Sequence, residues 1–481
     1  GNDTLTVEIR VRFPYPIPRK AAEILSAVFF VFDLNFKFLL KLFIFCVTLR
    51  PKNRYMSNIY DKDWFYRAFK FFACHHIRRS FKRYHVVGRE NIPEDGILIF
   101  GINHSNALTD ALSLILSTPG YQLFMARADI FQSKFWGAFL RRLKMLPIYR
   151  MRDGIGAVRD KNSAVIDEAV ESMYHGVPLY LFPEATHRAK HSLRPLSKGI
   201  FHIAFQANEK YGDRKPVYIV PVGIEYGDYF RFRSTSLVSF GEPINVTEYL
   251  RDNTGKTEAE KLLELKEILT GRMASLISYI PDNEDYDAIW ELAKIHAGLP
   301  PVSLKRRRDR NQRFIRKYVE FSKKEPERAK RLFEKVRTFT RHRKEHKISV
   351  ISVSKKRPGW NMLWKTLMVI VGFPVFLVSG AVSAPIWGIT SIIINKLKDK
   401  AFSNSVNFGV ELLLHPLLTA VGMTLLFCLT PWQVAVVGTV FIYYSYMFTF
   451  DYYQYIRKWL SDIRWTFNKE LRAEFNDIKN Q

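Results

Sequence analysis

The stretch GILIFGINHSNALTDALSLIL (residues 96–116) decides the fold class, because a buried-strand pattern in it gives way to a helical one. Residues 96–102 are almost entirely apolar, which predicts a strand inside a sheet. Apolar residues then recur at helical spacing up to residue 116. His104 and Asp110 lie at this transition, where α/β sheets gather functional side chains. The stretch therefore predicts an α/β fold with a site around residues 104–110.

The chain around this stretch continues the alternation of strands and helices. Further strands are predicted at 177–182, 217–224 and 236–240, and helices at 134–144, 156–174 and 197–211. A helix over 257–280 opens with Thr257 and Glu260, which are spaced as a capping box. We therefore expect an α/β domain over 85–300, with a sheet flanked by helices.

Charge and composition restrict the class of partner. The 481 residues include 73 Lys and Arg against 46 Asp and Glu, a formal net charge of +27, which favours a polyanionic partner. Aromatic residues reach 15%, and we find no groove-entering or base-stacking motif, so an anionic membrane surface is favoured over nucleic acid. The three cysteines are far apart and have no metal-ligand spacing. We expect no disulfide, no metal site and no cofactor.

The N-terminal region allows two interpretations. Within residues 1–55, the stretch 27–49 is apolar but is interrupted by Asp33, Lys37 and Lys41, which argues against a spanning helix and against a signal peptide. Residues 1–55 form either an amphipathic segment on a membrane surface or an extension before a functional protein that begins at Met56. Residues 56–84 are aromatic and basic, which predicts an interfacial amphipathic helix or, equally, an ordinary packing helix.

The region after residue 300 predicts membrane attachment. Residues 301–360 form a basic helical linker, which is either a solvated helical face or a surface held by anionic head groups. Residues 361–455 are expected to be embedded in the membrane, and 456–481 to form an amphipathic cytoplasmic tail. The apolar segments of the embedded part are 366–394, 412–430 and 432–450.

The topology of these segments stays open in the sequence. Pro374, Gly380 and Pro385 interrupt the first segment, which predicts a broken, re-entrant element followed by a helical hairpin. Basic flanks support this arrangement, and three simple crossings are the alternative. Both arrangements belong to an integral membrane protein.

His104 and Asp110 have the residue types of a general-base pair. A histidine with an ordinary pKa near ~6.5 accepts a proton around neutrality, and a carboxylate on one ring nitrogen fixes its tautomer. No serine or cysteine in a recognisable nucleophile elbow accompanies the pair, so His104 would activate a substrate hydroxyl directly. The alternative is a structural histidine at a strand end. Asn106 or Thr109 is expected to cap the helix that follows.

Three later stretches add basic and acidic residues, the first in a loop after a predicted basic helix and the other two at the ends of predicted strands. They are LPIYRMRDG (146–154), YLFPEATHRAKHSLRPLSKG (180–199) and YIVPVGIEYG (218–227). Arginine side chains of this kind grip phosphates by bidentate hydrogen bonds. Arg150 and Arg152 are therefore phosphate-binding candidates, and the second stretch supplies the further basic residues Arg188, Arg194 and Lys198, to which the resemblance described next extends this role.

The order of these stretches resembles the glycerolipid acyltransferase family, which includes lysophosphatidate and glycerol-3-phosphate acyltransferases. The four blocks that carry the resemblance are Asn103-His104 to Asp110, Pro147-Ile148-Tyr149-Arg150, Phe182-Pro183-Glu184-Ala185-Thr186-His187, and Val220-Pro221-Val222. Bacteroidota-type members with apolar C-terminal segments are similar. Two departures stand out. Five residues separate His104 from Asp110 where the family has four, and Ala185 and His187 replace the glycine and arginine of the third block.

The resemblance implies a membrane acyltransferase that makes phosphatidate. His104 would deprotonate the free hydroxyl of 1-acylglycerol 3-phosphate, Asp110 would orient His104, and the donor would be a thioester of coenzyme A or of acyl carrier protein. Arg150 and a basic residue of the third block would bind the acceptor phosphate. The resemblance further implies acceptor contacts from Glu184, Thr186 and His187, with a structural carboxylate as the alternative for Glu184.

The implied location is the inner membrane of the cell, with the site facing the cytoplasm. The implied partners are anionic lipids, a lysophospholipid acceptor and, as one option for the donor, acyl carrier protein. Three other functions stay open: acylation of glycerol 3-phosphate or another lysolipid, hydrolysis of the thioester, and a non-catalytic basic membrane-binding protein.

Overall fold

The computed structural model describes residues 58–149, 155–296, 303–354 and 358–479. An eight-stranded sheet organises the first half of the chain, in the spatial order β1-β7-β6-β2-β5-β3-β4, with β8 paired to β6. The strands are β1 (Phe81–Val87), β2 (Ile97–Ile102), β3 (Leu123–Arg127), β4 (Met145–Ile148), β5 (Leu179–Leu181), β6 (Val217–Tyr226), β7 (Ser234–Phe240) and β8 (Ile244–Asn245).

Most neighbours in this sheet are parallel. β2 pairs in parallel with both β5 and β6, whereas β7 and β8 run antiparallel to β6. Parallel pairing brings the carboxyl ends of β6, β2 and β5 to the same edge. This edge carries the loops at residues 103–106 and 182–198.

Helices join and cover the strands. Those of the sheet region are α1 (Trp64–Ser80), α2 (Ala107–Ser117), α3 (Lys134–Arg142), α4 (Ile155–Tyr174), α5 (Gly199–Tyr211), α6 (Val246–Asp252), α7 (Glu258–Ser275) and α8 (Tyr286–His296). Two hydrophobic cores result, one with side chains of α4, α5 and α7, the other with side chains of α1 and α2. Because helices cover both faces, β2 has to be apolar throughout, and Ile97, Ile99 and Ile102 are fully buried. The α/β prediction is confirmed.

Several element boundaries differ from the predictions. The helix expected within 56–84 ends at Ser80, and the chain continues directly into β1. Lys82, Arg83 and His85 give β1 the basic, mixed pattern of an amphipathic helix, although it pairs with β7. The sequence prediction also lacked β3 and β4, which are short and without clear alternation. The capping box of Thr257 and Glu260 is confirmed.

The basic region after residue 302 is helical, as predicted. It forms α9 (Leu304–Lys324) and α10 (Pro326–Glu345), followed by the short α11 (Val350–Val353). Phe333, Val336 and Phe339 on one face of α10 are buried in a third core, which α8 also joins. The apolar face is therefore covered, and most of the cationic side chains face outward.

The C-terminal region contains α12 (Pro358–Asn395), α13 (Ser403–Leu429), α14 (Trp432–Phe467) and α15 (Lys469–Lys479). Three helical stretches here, of 34, 30 and 36 residues, are long and apolar enough to cross a membrane. A 20-residue helix already spans the roughly 30 Å of a hydrocarbon core. Leu363, Ile370 and Leu413 are among the many apolar side chains left exposed. These features indicate a membrane protein.

The predicted break in the first apolar segment is wrong. α12 is one helix with Pro374 and Pro385 inside it. A proline in a long apolar helix removes one hydrogen bond but does not have to end the helix, because neighbouring groups satisfy the freed carbonyl. Spanning length is therefore preserved.

The described residues fall into two compact units. The first comprises 58–412 and 445–479 and contains the whole sheet, and the second comprises 413–444. Within the second unit the ends of α13 and α14 pack together, with Gly422 against Ile442 and the His415 ring hydrogen-bonded to the Tyr443 carbonyl at 3.1 Å. The expected segment at residues 1–55 lies outside the described residues.

Candidate active site

The site lies at the carboxyl ends of three adjacent strands. β2 ends just before His104, β5 just before the Phe182–Glu184 segment, and β6 ends at Tyr226. Asn103 ties two of these ends together, because its side-chain amide exchanges two hydrogen bonds with the backbone of Ile224. The amide thus extends the β2–β6 pairing by one residue and fixes the start of the His104 loop.

His104 and Asp110 are in direct contact. The Nδ1 atom of His104 lies 2.8 Å from Oδ2 of Asp110, and the same oxygen accepts backbone N–H groups of Ser105 and Asn106 at 2.8 Å each. The Asp110 side chain is fully buried, while that of His104 is 17% exposed. With Nδ1 engaged by the carboxylate, Nε2 is the ring nitrogen left for a substrate proton.

The additional residue between His104 and Asp110 is accommodated by the backbone. Ala107, the first residue of α2, has φ +43°, in the left-handed region that non-glycine residues seldom adopt. This turn brings Asp110 back toward the loop. Asn106 occupies the N-cap position, but its side chain donates to the Tyr229 carbonyl at 2.7 Å instead of capping. The expected cap from Asn106 or Thr109 is therefore wrong, and Asp110 binds the N–H groups of the preceding loop.

Tyr226 is the functional neighbour that the sequence prediction missed. Its hydroxyl donates to Oδ1 of Asp110 at 2.8 Å and lies 3.1 Å from the Ser113 hydroxyl. Burial, together with the Asp110 charge, raises the pKa of Tyr226 well above its ordinary value, so the phenol stays protonated and acts as a donor. The sequence carried one indication of this role. Tyr226 lies on the same face of β6 as Val220 and Val222, so a polar side chain follows buried apolar ones on that face.

Glu184 joins the two loops of the site. Its Oε1 accepts the backbone N–H of His104 and its Oε2 that of Arg194, both at 2.9 Å. Burial raises the pKa of Glu184, against the lowering effect of these two N–H groups. Both oxygens are used by the backbone, which favours the structural role that the sequence left as the alternative to acceptor binding.

Ala185 explains why the related block contains glycine. Its φ is +60°, and glycine adopts this conformation without the steric cost of a Cβ. The alanine therefore retains the turn after Glu184 at some cost in stability. Thr186 follows with an exposed side chain, and its backbone N–H donates to the Glu184 carbonyl at 2.7 Å.

His187 lies beside the His104–Asp110 pair. The two imidazole rings have centroids 5.5 Å apart, and the ring of Phe182 stacks on that of His104 at 4.4 Å. The Nε2 atom of His187 lies 3.1 Å from Oδ2 of Asp399, which belongs to the connection between α12 and α13. His187, like Phe182, is thus a third-block side chain that the fold brings beside His104.

The predicted phosphate ligands differ from one another in their surroundings. The Arg188 guanidinium pairs with Asp282, which Lys190 also contacts at 2.8 Å, and both cations lower the pKa of Asp282. The side chains of Arg194 and Lys198 are exposed farther along the same loop. Arg150 and Arg152 lie outside the described residues. Arg188 remains linked to the site, since its backbone N–H donates to the His104 carbonyl at 3.1 Å.

Comparison with known families agrees with this geometry. The sequence model described as Acyltransferase matches residues 83–225, which extend from β1 to the penultimate residue of β6. Residues 83–225 form an acyltransferase-family domain. The match includes His104, Asp110, Glu184 and His187, and the resemblance inferred from the four sequence blocks is confirmed.

Curated relatives of the acyltransferase domain are distant. An uncharacterized acyltransferase of Schizosaccharomyces pombe is 26% identical over 184 residues, which is 37% of this chain and 26% of that protein. The glycerol-3-phosphate O-acyltransferase 1 of Saccharomyces cerevisiae is 25% identical over 142 residues, 29% of this chain and 19% of its own length. The chain thus spans about a quarter and a fifth of these two relatives.

Two bacterial proteins are similar over most of their own length. The 1-acyl-sn-glycerol-3-phosphate acyltransferase of Bacillus subtilis is 23% identical over 192 residues, 40% of this chain and 86% of that protein. The crystal structure of the 1-acyl-sn-glycerophosphate acyltransferase PlsC from Thermotoga maritima covers 54% of this chain and 98% of its own, with 19% identity and a TM-score of 0.33.

Proposed function

We propose that the protein is a membrane-bound O-acyltransferase that moves a fatty acyl group from a thioester to the free hydroxyl of 1-acylglycerol 3-phosphate. The product is phosphatidate for phospholipid synthesis. The observation that carries the proposal is the His104–Asp110 pair, with Nδ1 held 2.8 Å from the buried carboxylate at the edge of the acyltransferase domain.

The chemistry follows from this geometry. The Nε2 atom of His104 takes the proton of the acceptor hydroxyl as the oxygen attacks the thioester carbonyl carbon. Asp110 stabilises the imidazolium that forms, and Tyr226 holds Asp110 from its other oxygen. When the carbon–sulfur bond breaks, the imidazolium returns the proton to the departing thiolate. The acyl donor is a thioester of coenzyme A or of acyl carrier protein. The route needs neither a cofactor nor a metal.

Acceptor recognition is assigned to the third block and its surroundings. Phosphate contacts come from Arg150 and Arg152 and from the basic loop residues Arg188, Arg194 and Lys198, while His187 and Thr186 meet the polar head. The exposed basic residues of that loop support this assignment.

The proposed location is the inner membrane of the cell, with the site facing the cytoplasm. The three apolar helices and the exposed basic faces of α9 and α10 support it, because cationic faces bind the anionic lipids of a cytoplasmic leaflet.

Acyl transfer by the detergent-purified full chain tests the proposal. Lysophosphatidate and glycerol 3-phosphate are offered separately with an acyl thioester, beside His104→Ala and, as a matched control, His202→Ala, whose ring is 52% exposed on α5. We expect phosphatidate from lysophosphatidate. His104→Ala should lose this activity by about 10³-fold, within the range for a general base, and the control should retain it.

Each other outcome has a definite meaning. Preference for glycerol 3-phosphate would assign the first acylation instead of the second. Release of free fatty acid without an acceptor would indicate thioester hydrolysis. No product from the wild type would favour a basic membrane-binding protein. Equal product from His104→Ala would contradict the general-base role of His104 while retaining the transferase.

A further inference from the structure

The connection between α12 and α13 approaches the site although it lies far outside residues 83–225 of the acyltransferase match. It contains Asp399 and a short 3-10 helix, Lys400–Phe402. Asp399 accepts the backbone N–H of Ala401 at 2.8 Å, so the carboxylate also caps this turn. A segment between two apolar helices is therefore locally ordered beside the reactive histidine.

Two side chains of this connection contact His187. Asp399 Oδ2 lies 3.1 Å from Nε2 of His187, and the Phe402 ring meets the His187 ring edge-on at a centroid distance of 5.6 Å. The Ala401 N–H and His187 both lower the pKa of Asp399, which is therefore a carboxylate at neutral pH. His187 is in turn the ring 5.5 Å from that of His104.

The start of α13, which follows this connection, is also held against the sheet region at points beyond His187. The Asn404 side-chain amide donates to the Tyr229 carbonyl at 2.6 Å, and the same carbonyl accepts the Asn106 amide at 2.7 Å. Farther along α13, Glu411 pairs with Arg79 of α1 at 3.1 Å, with both side chains buried. These contacts hold the connection against the loop that starts at His104.

We propose that the α12–α13 connection forms one wall of the acceptor subsite, with Asp399 as the positioning residue for His187 and Phe402 as a specificity-determining contact. The inference rests on the proposed function and adds to it residues from the apolar C-terminal region. That region is then part of the active site as well as an attachment to the membrane.

His187 stands where the third block of the similar family has an arginine. An arginine presents several N–H donors without help, whereas an imidazole has two nitrogens and must be oriented. Asp399 occupies Nε2 of His187, which leaves Nδ1 as the ring nitrogen that meets the polar head of the acceptor. Phe402 limits how far the ring can turn. A histidine in place of arginine thus requires a partner, and the connection supplies one.

Acceptor kinetics of Asp399→Asn test the proposal. Asparagine keeps an oxygen for the Ala401 N–H, so the cap survives while the charge is lost. We expect the KM for lysophosphatidate to rise about 5-fold, the size of one hydrogen bond, with kcat and the donor KM changed less than about 2-fold. Phe402→Ala should change the acceptor KM in the same direction. The matched control is Asp477→Asn, which removes an exposed 2.8 Å pair with Lys335.

A double-mutant cycle separates positioning from a general structural effect. If Asp399 acts through His187, Asp399→Asn should have no further effect on the acceptor KM in a His187→Ala background. An equal effect in both backgrounds, a change confined to kcat or to the donor KM, or no change at all would overturn the proposal.

Direct binding distinguishes this inference from the proposed function. Lysophosphatidate affinity is measured without donor in the same detergent, for the wild type and Asp399→Asn. Binding that Asp399→Asn weakens about 5-fold, without any acyl transfer by the wild type, would retain the subsite and reject the transferase. Acyl transfer by the wild type, together with an unchanged affinity of Asp399→Asn for lysophosphatidate, would support the transferase and reject the subsite. Absence of both binding and transfer would reject both.

Discussion

Asp110, in the first turn of α2, and Glu184, in the loop after β5, are two buried carboxylates with different contacts. Each accepts two backbone N–H groups, Asp110 from the residues after His104 and Glu184 from His104 and Arg194. Asp110 also contacts the imidazole of His104 and the phenol of Tyr226. Within the part of the chain that the structure describes, the Glu184 carboxylate accepts hydrogen bonds from backbone N–H groups alone.

From this difference in contacts we expect a stabilising role for the carboxylate of Glu184 and a catalytic role for that of Asp110. A buried carboxylate can fix a loop by accepting N–H groups, because an unpaired buried donor is costly. It gains a chemical role only when one of its oxygens also meets a group that changes charge. For Asp110 that group is His104, so removing the negative charge should affect turnover. For Glu184 it should affect folding.

Asp110→Asn is the change with the largest expected effect. The amide oxygen can keep the backbone N–H groups and the Nδ1 contact, but it no longer stabilises the imidazolium. We expect kcat to fall about 10³-fold with a small change in stability. Steady-state kinetics and thermal unfolding of the same preparation check this. Retention of a tenth or more of the wild-type kcat would remove the distinction between the two carboxylates.

Glu184→Gln should lower stability more than it lowers kcat, the opposite of Asp110→Asn. One backbone N–H then faces an amide N–H₂, and we expect the free energy of unfolding to fall by about 1–3 kcal/mol, with kcat reduced less than about 10-fold. Because burial raises the folded pKa of Glu184, its protonated form adds stability below the unfolded pKa, and this is lost as pH rises through the folded value.

The pH dependence gives Glu184→Gln a second readout. The stability deficit of the variant should be larger at pH 4.5 than at pH 7, measured by denaturant unfolding in detergent. A deficit that grows with pH, or a kcat lost as completely as in Asp110→Asn, would place Glu184 in the chemistry.

Tyr226→Phe tests the Asp110 side of the comparison, because the Tyr226 hydroxyl binds Oδ1 of Asp110 whereas His104 contacts Oδ2. Losing a hydrogen bond to a charged group should lower kcat about 10-fold while leaving the acceptor KM nearly unchanged. Tyr84→Phe is the matched control, because that buried phenol donates to the Ser113 carbonyl at 2.6 Å instead of to Asp110. A similar loss of kcat in both variants would indicate general damage to the core.

Ala185→Gly has the smallest expected effect. Glycine relieves the positive φ after Glu184, so the free energy of unfolding should rise by about 1 kcal/mol. Ala259→Gly, in an exposed helical turn of α7, should instead lower it by about 0.5–1 kcal/mol. Thermal melts of the two variants should shift in opposite directions, and a shared direction would contradict the backbone explanation.

Much of the fold could be predicted because its signals are local. The apolar run of β2, the helical spacing in α2 and the capping box of α7 each depend on residues close together in sequence. β1 was harder, since its basic residues imitate a helical face and its partner β7 lies about 150 residues later. The three long apolar helices were evident, but whether prolines break them depends on the surrounding backbone.

The sequence by itself determined the α/β class, the apolar C-terminal helices and the candidate pair of His104 and Asp110, because each depends on neighbouring residues or short spacings. Only the tertiary structure decided which groups surround that pair. Tyr226 lies 116 residues beyond Asp110, and Asp399 lies 212 residues beyond His187. Spacing along the chain carries no information about such contacts, which arise because parallel strand pairing and helix packing bring distant segments to one edge of the sheet.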